Sequence, residues 1–216
     1  LLDSDQSDEV QANISELLTN VSRYNTDATI SYFTEDIIQS LILLCACNNI
    51  QCKRYVPLIL GNISQNNIVR GHIGMLGGVE ALFLSLESDD PVVKCNILWS
   101  LSNMMYYPPN QERGGRYISE LIPYILISNI NIYTENIRNF AMILLGNLLY
   151  YNTANRVRFL EIDYALETII TYINAAVHVY GANANAAAAP SYINMTLIES
   201  SLRILLSLSY LDSIAL

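Results

Sequence analysis

Basic residues are scarce in this sequence. Eleven Lys and Arg stand against twenty Asp and Glu, a formal net charge of −9 at pH 7. Only Lys53 and Lys94 are lysines. Proteins grip a phosphate backbone by neutralising it with cations, so nucleic acid is excluded as a partner class. Charged residues of both signs make up 14% and hydrophobic ones 52%, which excludes a globally disordered chain. Uninterrupted apolar runs of about 18 residues are missing, so no membrane-spanning helix is expected.

The patterns that mark many catalytic centres are missing too. His-Glu-x-x-His, Gly-x-x-x-x-Gly-Lys, Gly-x-Gly-x-x-Gly and Cys-x-x-Cys do not occur. Two histidines and four cysteines leave little material for metal or thiol chemistry. Cys45 and Cys47 are two residues apart and Cys52 follows five later, with no histidine beside them, a poor ligand set. Neither His72 nor His178 has a readable Cys or Ser partner. A non-enzyme without a cofactor or metal is expected. The cysteines sit in apolar helical stretches and read as buried free thiols of a reducing compartment, which implies a cytoplasmic location.

What the sequence does have is a repeat. Leu58-Ile-Leu-Gly-Asn62, Trp99-Ser-Leu-Ser-Asn103 and Ile143-Leu-Leu-Gly-Asn147 resemble one another, with their asparagines 41 and 44 residues apart. A step back of 42 from Asn62 reaches Asn20. A second set of apolar segments begins near Ile37, Val79, Leu121 and Ala165, at spacings of 42, 42 and 44. Two coupled helical phases with this period match HEAT and armadillo repeats of roughly 40–47 residues. Gly77-Gly78 permits a tight bend before Val79. Ser88-Asp-Asp-Pro91 supplies a cap and then proline at the first helical position, which predicts a helix from Val92 to about Tyr106.

The stretch Gly61-Asn62 … Gly77-Gly78-Val79-Glu-Ala-Leu … Asp90-Pro91-Val92 … Trp99-Ser-Leu-Ser-Asn103 closely resembles an armadillo repeat. HEAT repeats lack the Trp-x-x-x-Asn phase. The resemblance covers about residues 10–173 and resumes near 195–211. It implies an all-α, right-handed superhelical solenoid of about five armadillo repeats. Residues 1–9 read as an acidic leader and 10–216 as a single domain. An Ala-rich insertion at about 174–196 reads as a mobile loop before the last repeat helix, where Ser209 replaces the asparagine.

In that family the third helices line a concave groove and the asparagines face into it. At about 100° per residue, positions −7, −4, +3 and +4 share the asparagine's face. The resemblance and this geometry together nominate a protein-binding groove. It comprises Asn20 on the first unit and Tyr55, Asn62 and Asn66 on the second. The third unit contributes Asn96, Trp99, Asn103, Tyr106 and Tyr107, and the fourth Phe140, Asn147, Tyr150 and Tyr151. Amide side chains both donate and accept, so a row of them satisfies an extended peptide backbone. Aromatics add contact area at low entropic cost. A plainer reading stays open, in which the asparagines bond neighbouring backbone and the tyrosines pack between repeats. Lys53, Lys94 and Arg138, nine residues before their asparagines, fall on the opposite side and read as a solvated outer edge.

The expected function is a non-catalytic scaffold or adaptor that binds a partner peptide or helix. On architecture rather than motif, the chain also resembles the armadillo-repeats-only proteins of apicomplexan parasites. That resemblance implies an adaptor that positions an organelle from the cytosolic face of the rhoptry. It would recruit a myosin motor, a signalling enzyme or other proteins, and hold the membrane only by an acyl anchor outside these residues. An importin-alpha-like receptor for nuclear localisation signals is the alternative, though Glu16, Leu58 and Ile143 stand where its tryptophan ladder would run. Another is a chaperone-associated module that clasps a folded domain.

Overall fold

The computed structural model describes residues 7–24, 26–126, 132–183 and 192–210. Among the described residues there are thirteen α-helices and no strand. They follow the repeat. A lone third helix, α1 (Asp8–Ser22), comes first. The triplet α2 (Asp27–Ile30), α3 (Glu35–Leu44) and α4 (Ile50–Ile63) follows it. Next come α5 (Asn67–Met75), α6 (Gly78–Leu84) and α7 (Pro91–Met104). The fourth unit is α8 (Pro108–Gly114), α9 (Ile118–Ile125) and α10 (Ile132–Leu149). The fifth is α11 (Thr153–Leu160), α12 (Ala165–Asn183) and α13 (Tyr192–Ser209).

Local chemistry sets the helix starts. The Asn49 side chain accepts from the N–H groups of Gln51 and Cys52 at 2.8 and 3.1 Å. Asp90 accepts from Val92 and Val93 at 2.9 and 3.0 Å, with Pro91 at the first position. Each carboxamide or carboxylate fills donors that a helix N-terminus leaves open. Gly77 turns into α6 at φ 87°, a left-handed conformation that costs a residue with a Cβ. Ser7 caps α1, and Asp8 and Glu9 form its first turn. These two are therefore helical, not part of a leader, because carboxylates there favour the dipole.

The chain divides into two compact units, Leu1–Gly114 and Gly115–Leu216, where the sequence predicts one domain. Repeats touch only their neighbours, so a compact unit can close inside the fourth triplet. In the first unit α4 packs between α1 and α7. The second helices seal this row. Ile38, Leu41 and Ile42 of α3, and Val79, Leu82 and Phe83 of α6, are all buried. Each such side chain contributes about 1.5–3 kcal/mol on full burial. In the second unit α10 packs on α9 and α13, around Leu121, Ile137, Leu144, Leu145 and Ile204.

The expected insertion loop at 174–196 needs correcting. Helix α12 continues to Asn183 and α13 begins at Tyr192, while 184–191 lie outside the described residues. Ala175 and Ala176 are the residue type with the highest helix propensity, which favours the continuation of α12 through them.

Candidate functional site

Three third helices of the first unit stand side by side and present one row of polar and aromatic side chains. On α4 the row is Tyr55, Leu58 and Asn62; on α7 it is Asn96, Trp99 and Asn103. All six are half-buried, because a spacing of three or four keeps them on one helix face at the edge of the core. Asn20 on α1 is exposed.

Hydrogen bonds fix how the asparagines are turned. Asn62 Nδ2 donates to Ser22 Oγ at 2.9 Å, and that hydroxyl spends its own proton on the Thr19 carbonyl at 2.8 Å. Asn96 Nδ2 donates to the Arg54 carbonyl at 2.8 Å, and Asn103 Nδ2 to the Gly61 carbonyl at 3.4 Å. Every amide nitrogen thus reaches back to the preceding third helix. The Oδ1 atoms of Asn62, Asn96 and Asn103 have no partner among the described residues. One half of each side chain ties repeats together and the other half is an open acceptor.

Trp99 depends on a missing side chain. Its ring lies on Gly61 of α4, where an added Cβ would collide with the ring. At the start of α7, Arg54 of α4 donates to Asp90 through Nε at 3.2 Å and through Nη2. Partial burial works against the Asp90 charge. The Arg54 hydrogen bond, the Val92 and Val93 N–H groups and the arginine's charge outweigh it, and hold the carboxyl below its usual value. One aspartate therefore caps α7 and ties it to α4.

Other nominated residues do different work. Asn66 caps α5, accepting from Ile68 and Val69 at 3.0 and 3.2 Å. Arg70 lies over the exposed Tyr106 ring, 5.6 Å from its centroid. Tyr107 stands against Gly71 of α5, where a Cβ would be 3.4 Å from its ring. In the second unit Phe140 is half-buried. Asn147 is only 3% exposed, and its Oδ1 accepts from Arg203 Nη1 at 3.1 Å. The same guanidinium lies 6.0 Å from the Tyr150 ring. Tyr151, at φ 53°, stacks at a tilt on Tyr150 with centroids 4.2 Å apart. The fourth asparagine is therefore closed where Asn62 and Asn103 are open. Arg138, expected on a solvated edge, lies over Tyr172 at 5.2 Å.

Sequence reasoning missed Asn110 and Asn155. Asn110 Nδ2 donates to the Met104 and Arg70 carbonyls, both at 3.1 Å. Asn155 Nδ2 donates to the Leu148 carbonyl at 2.9 Å. They recur 45 residues apart, a signal that the period could have exposed. All four cysteines are free. Burial pushes Cys45 up to about 12 and Cys47 and Cys95 to about 11, with nearby Cys47, Cys52 and Asp90 respectively adding to it.

No protein-family model matches the chain, and no curated protein does. Among solved structures, an engineered protein matches with a TM-score of 0.72 at 16% identity, over 95% of this chain and 46% of its own. A designed armadillo repeat protein matches with a TM-score of 0.71 at 13% identity, over 96% of both chains. Another, in complex with the peptide (KR)4, matches at 0.61 and 13%, again over 96% of both. At these identities the likeness concerns fold. The chain has the all-α fold of armadillo-repeat solenoids.

Proposed function

We propose that this protein is a non-catalytic armadillo scaffold that binds an extended segment of a partner protein along the α1–α4–α7 row. The observation that carries this reading is the open Oδ1 of Asn62, Asn96 and Asn103 beside half-buried Trp99. These acceptors are open to solvent rather than buried, and the backbone N–H groups of an extended peptide can take the place of water on them. The ring and Tyr55 offer contact area to its side chains. A neighbour of the same fold that holds a peptide supports the reading.

The test is a selection from a random peptide library on the immobilised chain, with affinities measured by fluorescence anisotropy. Asn103→Ala and Asn62→Ala are expected to weaken a selected peptide at least about tenfold each, the equivalent of roughly 1.4 kcal/mol. Peptides that bind both variants as tightly as wild type would sink the reading. An adaptor on an organelle's cytosolic face, recruiting a myosin motor, is the finer form of this function. Its support is the sequence resemblance alone, and co-purification from cells that carry the protein tests it.

A further inference from the structure

The row has an edge where α4 and α7 end, and Arg70 of α5 stands on it. Its Nε donates to Ser64 O at 2.7 Å and its Nη2 to Gln65 O at 3.5 Å, two and three residues beyond Asn62. Nη1 donates to Asn67 Oδ1 at 3.0 Å. The guanidinium also lies over the ring of Tyr106, three residues beyond Asn103. It therefore joins the ends of the two helices whose asparagines are open acceptors. Holding the last carbonyls of a third helix does not need a charge. At the equivalent place in the next repeat, 41 residues on, neutral Gln111 does this work, with Nε2 on Met105 O at 3.0 Å.

The fold gives the Arg70 charge no counter-ion. Among the described residues no carboxylate pairs with it. Partial burial works against the charge and Tyr106 alone acts in its favour, so the guanidinium is held below its usual value. Three of a guanidinium's five N–H groups are used here, and the other two donate to nothing among the described residues. The Tyr106 hydroxyl, on a ring 58% exposed, makes no hydrogen bond there either. We infer that Arg70 and Tyr106 receive a carboxylate of the bound segment, which makes the partner an acidic peptide. The inference rests on the proposed reading of the row and deepens it: Asn62 and Asn103 hold the segment's backbone, and Arg70 selects its charge. A guanidinium suits a carboxylate because its donors are planar and permanently charged. An Asp or Glu side chain and a free C-terminus supply the same group.

The test uses peptides selected on the immobilised chain from a random library displayed with free C-termini. Each is resynthesised with its Asp and Glu changed singly to Asn and Gln, and separately with an amidated C-terminus. One of these changes is expected to weaken binding to wild type at least about fivefold, and which one it is identifies the source of the carboxylate. On Arg70→Gln the same two peptides are expected to bind within about twofold of each other. Glutamine keeps the link to Ser64 as Gln111 keeps its own, so a Tm close to wild type separates lost charge from lost fold. Arg70→Lys keeps the charge and is expected to retain part of the preference; loss of the preference in that variant, folded, overturns the inference. Peptides that depend on Asn62 and Asn103 but need no carboxylate, or that discriminate equally on Arg70→Gln, also overturn it and leave the reading of the row standing. A carboxylate of the chain itself on Arg70 would give one of those two results. Peptides indifferent to Asn62→Ala and Asn103→Ala remove the reading of the row, and this inference with it.

Discussion

At the scale of single residues, two positions carry the α4–α7 contact. Gly61 is required by the Trp99 ring that occupies its missing side chain's place. Gly61→Ala is expected to destabilise by about 1–3 kcal/mol, as overpacking does. The same change on a Trp99→Ala background is expected to cost well under half as much, because the ring is gone. Urea unfolding of the four chains measures the coupling, and equal costs in both backgrounds would refute the contact. Asp90 makes a claim about pH. Its carboxyl is held low in the fold, so the stability it adds is present at neutral pH and is lost as pH falls through that lowered value. Asp90→Asn keeps the cap but not the charge. Its deficit against wild type is expected at pH 7 and should close below the usual carboxyl range; a gap unchanged in strong acid would mean the charge contributes nothing.

Elements raise a different question, which is how third helices end. Their last carbonyls have no partner within the helix. The first helix of the next repeat supplies it. Arg70 Nε donates to Ser64 O at 2.7 Å and Gln111 Nε2 to Met105 O at 3.0 Å. Asn155 and Arg156 donate to Leu148 O and Leu149 O at 2.9 and 3.0 Å. Asn110→Ala removes the links to the Met104 and Arg70 carbonyls at a buried site, leaves the Met104 carbonyl only the longer bond from the Tyr107 N–H at 3.3 Å, and is expected to cost about 1–3 kcal/mol. Asn20→Ala, at an exposed site, is expected to cost below about 0.5 kcal/mol. Denaturant midpoints compare them, and similar costs would reject the linking role. The helix phases were legible in the sequence because glycine, proline and buried apolar positions carry the period. The roles of individual asparagines were not. Asn62 and Asn66 are four residues apart on one calculated face, yet α4 ends at Ile63, which makes Asn66 the cap of α5. Asn147 keeps the phase of Asn103, but Arg203 of α13 comes from a unit whose spacing departs from the period. No local pattern reveals which asparagine a distant arginine covers.

For the whole molecule, the alkaline side of the stability curve follows from the thiols. An unfolded cysteine ionises near 9.0, whereas the fold holds Cys45 protonated to about 12 and Cys47 and Cys95 to about 11. Between those limits the unfolded chain releases protons that the folded chain keeps, so stability falls as pH rises. Added negative charge on a chain already at −9 acts in the same direction. The urea midpoint is expected to be flat from pH 7 to about 8.5 and then to fall. Buried Cys45 gives the cleanest separation of the two causes. Cys45→Ala costs some packing at neutral pH but removes one thiol from the titration, so the alkaline limb should become shallower by up to about 1.4 kcal/mol per pH unit. Raising the salt screens the net charge and leaves a buried thiol nearly untouched. A limb that flattens in salt and is unchanged in Cys45→Ala would assign the loss to surface repulsion. One that flattens in Cys45→Ala and persists in salt places it in the core at the end of α3, where burial keeps the thiol neutral.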